Sequence, residues 1–597
     1  MHRCPAPRPD RRDAIDGRDA GHTIAHMDPP DPPRPPNLQE GLERVLREFL
    51  ASLPGAGALP LAELAHALAA QPEGLRQLQQ RFVQDQQALW TGLAAAEGAA
   101  DRRTAAGDRR FASADWDALP FFRMLKESYL INARWLDELI ALARLPPPAQ
   151  RRARFVARQI ADAMAPTNTP WTNPDALRLA AQTGGASLEN GIRNLAHDLA
   201  QGRIAMSAAG AFEVGRNVAV TPGAVVFEND VAQLIQYLPR TPEVRARPLL
   251  IVPPFINKYY LLDLQPHNSF VRFALDQGLQ VFIVSWRNAG AAQAHHTWDD
   301  YVREGVLAPL EAVVEITRSR TLNALGFCVG GTLLATALAA MQRPERVRSL
   351  TLLACLLDFS DVGDIAVYVD RDYVEGCERQ YAQGGVTPGA RIAAAFASLR
   401  PTDLVWSFVV NNYLKGREPP AFDLLAWNSD SANLPGPLFA WYLRHLYLEN
   451  RLRVPGGLHV LGRPVDLTRV RMPAYVMAAQ DDHIVPWTSA YASTQLLGGH
   501  TQFVLSASGH VAGVVNPPGS GRRYFRAGAP PSADAQAWIA GAVRHEGSWW
   551  DHWAAWAVAH SGRAVRAPAS PGSTAHPVVE AAPGRYVTEV PALEAIG

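Results

Sequence analysis

The stretch Thr321-Leu322-Asn323-Ala324-Leu325-Gly326-Phe327-Cys328-Val329-Gly330-Gly331, followed by an Ala/Leu-rich run from Thr332 to Met341, decides how this chain reads. Its first part, Thr321–Leu325, is an apolar run of strand character and its last part is helical text, with Gly-x-Cys-x-Gly at the junction. A nucleophile on a sharp strand-to-helix turn needs residues two before and two after it that are almost free of side chain, and Gly326 and Gly330 meet that demand. Such a turn lifts the Cys328 sulfur above a sheet at a helix N-terminus, where the dipole and free amides favour a thiolate and later an oxyanion. Alone the pentapeptide is weak evidence, because a cysteine in a glycine-rich turn is as often packing as chemistry.

Its surroundings strengthen it. From about Val218–Phe227 onward short β-branched runs alternate with helical segments, and Leu249–Val252, Val281–Ser285, Val347–Leu353, Tyr475–Ala478 and Phe503–Leu505 read as further buried strands. That alternation predicts a mostly parallel sheet with crossover helices. Between about 358 and 470 it lapses into Trp-, Pro- and Asn-rich text, read as a cap inserted over the sheet's carboxyl edge. Ahead of the sheet, residues 37–210 read as an all-helical domain: Asn37 stands as an N-cap with Glu40 three residues on, then Leu42, Val45, Leu46, Phe49, Leu50 and Leu53 at helical spacing. Residues 1–36, closing in a Pro-rich run, form a tail, and residues 211–597 the catalytic domain, with a helix around Trp549–Trp556 and a Pro/Ala-rich tail. The fold class is α/β, an α/β-hydrolase fold with an inserted cap behind a helical N-terminal domain.

In that fold the order along the chain is nucleophile, acid, histidine, with the last two just after strands. Tyr475–Ala478 is followed by Gln480-Asp481-Asp482-His483-Ile484-Val485-Pro486, and Phe503–Leu505 by Ser506-Ala507-Ser508-Gly509-His510. An acidic pair after a strand is usually a solvated turn or a helix cap, and a loop histidine is common, so the coincidence of three in order carries the weight. Spacing leaves Asp481 or Asp482, and His483 or His510, open. One oxyanion donor should be the amide of Val329, after the nucleophile; the second should come from the loop after an early strand, where the Ile256 amide is the candidate. A thiol with a free pKa of about 8.5 is already partly ionised near neutrality. It exchanges one thioester for another at little cost, leaving the acyl group activated. Cys355, at the end of an apolar strand, reads as a buried inert thiol. Trp427, Trp441 and Trp487 suit a channel or an interface, though aromatic residues are more often core.

Composition bounds the partners. The chain has 597 residues, 48% hydrophobic and 19% charged, enough for two folded domains. Lys plus Arg and Asp plus Glu both total 57, so no global field recruits nucleic acid or an anionic bilayer. The opening is polar and no apolar stretch approaches the roughly 18 residues of a membrane span, so the chain reads as cytoplasmic. Four cysteines lack metal or redox spacing, and the His295-His296 pair has no carboxylate or cysteine at ligand spacing, so no metal or cofactor is expected.

These residues resemble the polyhydroxyalkanoate synthases, specifically the class I, single-subunit, short-chain type. The resemblance runs from about Arg109 to Val587. It rests on Pro253-Pro254-Phe255-Ile256-Asn257-Lys258-Tyr259-Tyr260, Val284-Ser285-Trp286-Arg287-Asn288, the Gly326–Gly331 turn, Leu356-Leu357-Asp358-Phe359, Asn411-Asn412-Tyr413-Leu414-Lys415-Gly416, Asn433-Leu434-Pro435-Gly436-Pro437, Asp482–Trp487 and Gly509-His510-Val511-Ala512-Gly513. It implies Cys328 as nucleophile with Asp482 and His510, the last acting as base. It also implies Phe327, Ile484 and Ala512 near the acyl pocket, and (R)-3-hydroxyacyl-CoA as substrate with CoA as leaving group. The expected partners are a growing polyester chain, its granule surface in the cytoplasm, and a second copy of the chain in a homodimer. Phe255 and Ala440 stand where some members carry cysteine, which suggests those thiols are dispensable. Read from the triad alone, a cysteine thioesterase on the same scaffold is the alternative, and a granule-coating protein with a dead site the non-enzymatic one.

Overall fold

Proline opens four of the described helices of the N-terminal region, where its missing N–H leaves no bond unmade and its fixed φ suits the first turn. The computed structural model describes residues 61–94, 108–519, 521, 523–528 and 530–590; the helix expected from Asn37 lies outside them. The described N-terminal helices are α1 (Leu61–Ala69), α2 (Pro72–Ala94), α3 (Pro120–Ala143), α4 (Pro147–Ala163), α5 (Pro174–Gln182) and α6 (Ala186–Gln201). Among themselves they bury small clusters, such as Ile140, Ala143, Leu145, Ala153 and Ala157, or Phe111, Trp116 and Phe122, while Phe155 of α4 enters the main core against Tyr368.

The strands follow as β1 (Gly223–Glu228), β2 (Ala232–Tyr237), β3 (Leu249–Val252), β4 (Val281–Trp286), β5 (Leu322–Phe327), β6 (Val347–Leu353), β7 (Ala474–Ala479), β8 (Thr501–Ser506), β9 (Tyr524–Ala527), β10 (Val543–Glu546) and β11 (Glu580–Ala581). They form one sheet in the order β10-β9-β8-β7-β6-β5-β3-β4-β2-β1-β11. From β8 to β4 neighbours run parallel, as the βα alternation predicts. Both flanks are antiparallel, which corrects the expectation of a mostly parallel sheet.

Alternate residues of the parallel strands face two cores. Leu250, Val252 and Val284 pack with Leu333, Leu334 and Leu338 of helix α7 (Val329–Ala340). Ile251, Ile283 and Met477 face the other side with Phe270 and with Trp549, Trp550 and Trp553. The segment between β6 and β7 is mostly helical and contains α8 (Gly436–Tyr442) and π-helical stretches at Thr402–Trp406, Val409–Leu414 and Leu443–Leu448. The N-terminal helices meet this segment: Arg152 pairs with Asp370 at 2.8 Å, Arg158 with Asp364 at 2.7 Å, and the Tyr413 hydroxyl donates to Asp198 at 2.7 Å.

A helix, α9 (Trp549–His560), follows β10. As far as residue 590 the Pro/Ala-rich segment is not a tail: β11 pairs with β1, and Tyr586 and Val587 are buried. Its order comes from pairing with residues more than three hundred positions earlier, which local composition does not display. Among the described residues no helix is long and apolar enough to cross a membrane.

Candidate active site

Strand β5 stops at Phe327 and α7 starts at Val329, so Cys328 alone makes the turn, with φ 51° and ψ −131°. This is a left-handed conformation that an L-residue holds only at a cost of about 1–3 kcal/mol, recovered from the surrounding structure. The flanking glycines are forced by contact. A Cβ on Gly326 would stand 2.4 Å from the Cα of Gly331, and one on Gly330 2.3 Å from the carbonyl oxygen of Pro253. The second contact also shows that the segment after β3 lies against the turn. Register agrees, since Val252 of β3 pairs with Gly326 of β5.

His510 follows β8 through Ser508, at φ 82°, and Gly509, and opens a short helix. Asp482 follows β7 in a loop that wraps its carboxylate: one oxygen accepts the amides of Ile484 and Val485, both at 2.8 Å. The other oxygen lies 2.6 Å from Nδ1 of His510. With Nδ1 so engaged, Nε2 is the ring nitrogen left for the Cys328 sulfur, which lies near enough to favour the charged ring. Burial disfavours a charged imidazole here, but Asp482 and Cys328 outweigh it and hold the pKa of His510 well above the usual histidine value. The Asp482 side chain is itself shut off from solvent.

The neighbouring candidates part from this group. Asp481 is exposed. His483 is driven down to about pKa 4 by burial and then by Arg400, so it stays neutral and poorly basic. Phe327 is buried and stacks on the His510 ring at 5.4 Å. Ile484 and Ala512 are half-buried, and Ala512's carbonyl accepts from Arg523. Val329, first residue of α7, has an amide without an intrahelical acceptor. The Ile256 carbonyl accepts the amide of Ala432 at 3.1 Å.

Two residues that sequence reading missed lie near enough to Cys328 to feel its charge. The phenols of Tyr442 and Tyr447, rings edge-on at 5.2 Å, are pushed above their usual pKa by burial first, with Cys328 close enough to add to the effect. They lie five apart across the π-helical stretch, whose i to i+5 winding sets them on one face, a spacing that a 3.6-residue periodicity does not flag. Cys355 is buried against Thr332 and its thiol is pushed up to about 12 by burial, so it is inert. Trp427 donates to the Lys258 carbonyl at 2.8 Å, Trp441 stacks on Trp298 at 4.7 Å, and Trp487 meets Tyr491 edge-on. Among the described residues no group of three or more His, Cys, Asp or Glu is placed to hold a metal; His296 instead lies 3.0 Å from Asp230.

A strained cysteine turn backed by a histidine and a buried aspartate, on a sheet of this order, is an arrangement of the α/β-hydrolase fold. The model of that fold matches residues 248–517, and residues 107–274 match the family described as poly-beta-hydroxybutyrate polymerase (PhaC) N-terminus. The poly(3-hydroxyalkanoate) polymerase subunit PhaC of Cupriavidus necator is 48% identical over 90% of this chain and 91% of its own length. The poly(3-hydroxyalkanoate) polymerase of Methylorubrum extorquens is 40% identical over 90% and 92%. Polymerase 1 of Ectopseudomonas oleovorans is 42% identical over 81% and 86%. The chain belongs to the poly(3-hydroxyalkanoate) polymerase family, acyl-transferring enzymes on the hydrolase fold.

Proposed function

We propose that the chain polymerises (R)-3-hydroxyacyl groups, 3-hydroxybutyryl above all, through a covalent thioester on Cys328, as a class I synthase. The observation that carries this reading is the buried Asp482–His510 pair, with Nδ1 engaged and Cys328 close by on a strained turn. His510 takes the thiol proton and the thiolate attacks the thioester carbonyl of the acyl-CoA. The oxyanion that forms is met by the amides of Val329 and Ile256. Carbon–sulfur cleavage then releases CoA, protonated from His510. In the second half the 3-hydroxyl of the next unit gives its proton to His510, with Asp482 holding the ring, or more directly to Asp482, and its oxygen takes the acyl group. No cofactor enters, since CoA is the leaving group.

Phe327, Ile484 and Ala512 shape the acyl pocket in this reading, and residues 358–470 act as a cap. We assign the working protein to the cytoplasm, on the polyester granule and as a homodimer. The support for granule attachment is the exposed apolar set of the N-terminal region, with Trp90, Phe121, Met164 and Trp171 all open to solvent.

The test is purified protein with (R)-3-hydroxybutyryl-CoA, following free CoA and turbidity together, beside Cys328→Ala. Loss of CoA release by about 10³-fold or more is expected from deleting the nucleophile. An unchanged rate excludes the mechanism, and soluble 3-hydroxy acid in place of polyester marks a thioesterase.

A further inference from the structure

Three of the sequence blocks that carry the family resemblance, and the segment around the buried Tyr586 and Val587, meet beside the candidate oxyanion loop 256–258 in a closed ring. The loop is stitched to the inserted segment: Ala432 donates to the Ile256 carbonyl at 3.1 Å, Asn257 bridges Ser431, and the Trp427 indole donates to the Lys258 carbonyl at 2.8 Å. On the opposite side the Lys258 ammonium, only 5% exposed, donates to the carbonyl of Val587 at 2.9 Å. Two residues on, Glu589 takes Arg287 at 3.1 Å and its carbonyl takes Asn288 at 3.2 Å, while Asn288 accepts the amide of Asn433 at 2.8 Å. That returns the circuit to the insertion.

We propose that Lys258 is a positioning residue for the acyl-transfer step, its buried ammonium clamping the oxyanion loop between the inserted segment and the carboxyl-terminal strap at Val587. This rests on the assignment of Ile256 as an oxyanion donor. A carbonyl is a modest partner for a buried ammonium, and two nearby carboxylates, Asp430, held by the Tyr260 hydroxyl at 2.9 Å, and then Glu589, favour its charge. The ammonium ties the loop to Val587 while the insertion ties it to Trp427, Ser431 and Ala432. The donor amide is therefore set before substrate arrives, which is the condition for electrostatic stabilisation without reorganisation.

The test uses the full chain with Lys258→Met, the double variant Lys258→Met/Asp430→Asn, steady-state CoA release, thermal melting, and a trifluoromethyl ketone analogue of the acyl-CoA that adds reversibly to Cys328 as a tetrahedral oxyanion. Lys258→Met is expected to lower kcat by about 10- to 100-fold, the scale of a misplaced donor, with KM within about twofold, and to weaken the ketone by the same factor. Removing both charges relieves the unbalanced Asp430, so the double variant regains its melting temperature but not its kcat. Recovery of both together, or an unchanged kcat in Lys258→Met, overturns the proposal and leaves Lys258 a packing residue. A fall in kcat with ketone affinity unchanged also overturns it, and locates the fault in the Ile256 assignment rather than in the anchorage of Lys258.

Discussion

In β3 all four side chains are buried, and Leu250, Ile251 and Val252 have no measurable exposure, whereas Trp90 of α2 is 61% exposed and Met164 and Trp171, just past α4, are 74% and 70%. The two regions are held by different forces. Sheet residues interlock on both faces, so each position answers to many neighbours and burial dominates its energetics. The N-terminal helices have small apolar clusters, and they join the inserted segment through ion pairs such as Arg152–Asp370 and Arg158–Asp364, with half-exposed partners. Pairs of that kind contribute on the order of 0–1 kcal/mol each. The contrast places tolerance to substitution in the helices and intolerance at the sheet's carboxyl edge, and it leaves the apolar area of the helices for another surface to cover.

The sharpest break of this contrast is at the turn itself. Ala at 330 puts a methyl into the carbonyl oxygens of Pro253 and Val252, 2.3 and 2.5 Å away, and backbone has nowhere to give. Gly330→Ala is expected to cost at least about 3 kcal/mol and to shift the loop after β3, abolishing CoA release. A soluble variant with a wild-type urea midpoint and full activity shows the turn to be looser than the packing indicates.

Burial also sets a pH response here. His483 titrates near 4 in the folded chain against about 6.5 unfolded, so between those values the unfolded chain binds a proton that the folded chain refuses. Its contribution is intact above pH 6.5 and is lost as pH falls, reaching about 2 kcal/mol at pH 5. His483→Gln should therefore flatten the fall in urea-unfolding stability between pH 7.5 and pH 5 by that amount. Equal slopes in the two proteins rule it out.

What could be read in advance follows the same division. Leu249–Val252 is legible to the residue because a run buried on both faces is apolar throughout, and Val347–Leu353 is legible through Val347, Leu350, Leu352 and Leu353 although Arg348 is exposed. Strand β2 was not, since Gln233 and Gln236 interrupt it; their amides are satisfied by Glu228 and Glu580 and by Gly572, partners mostly far along the chain. Strand β10 has every residue exposed and no pattern to find. Cys328, His510 and Asp482 were reachable because a turn that demands glycine leaves a mark in sequence, and because the resemblance chose between adjacent candidates. Tyr442 and Tyr447 left no mark, lying in irregular text that π-helical winding brings to the sulfur.

The smallest expected effect has the opposite sign and belongs to the helices. Gly92 lies inside α2, and a Cβ there meets nothing within 4 Å. Alanine removes backbone freedom from the unfolded chain without creating a contact in the folded one, so Gly92→Ala should stabilise α2 by about 0.5–1 kcal/mol and leave kcat unchanged. Limited proteolysis reads it best, because the gain is local: cleavage within α2 should slow while cleavage elsewhere keeps its rate. Should the same substitution slow cleavage in the sheet region as well, the helices and the sheet unfold as one unit, and the division drawn from burial does not extend to stability.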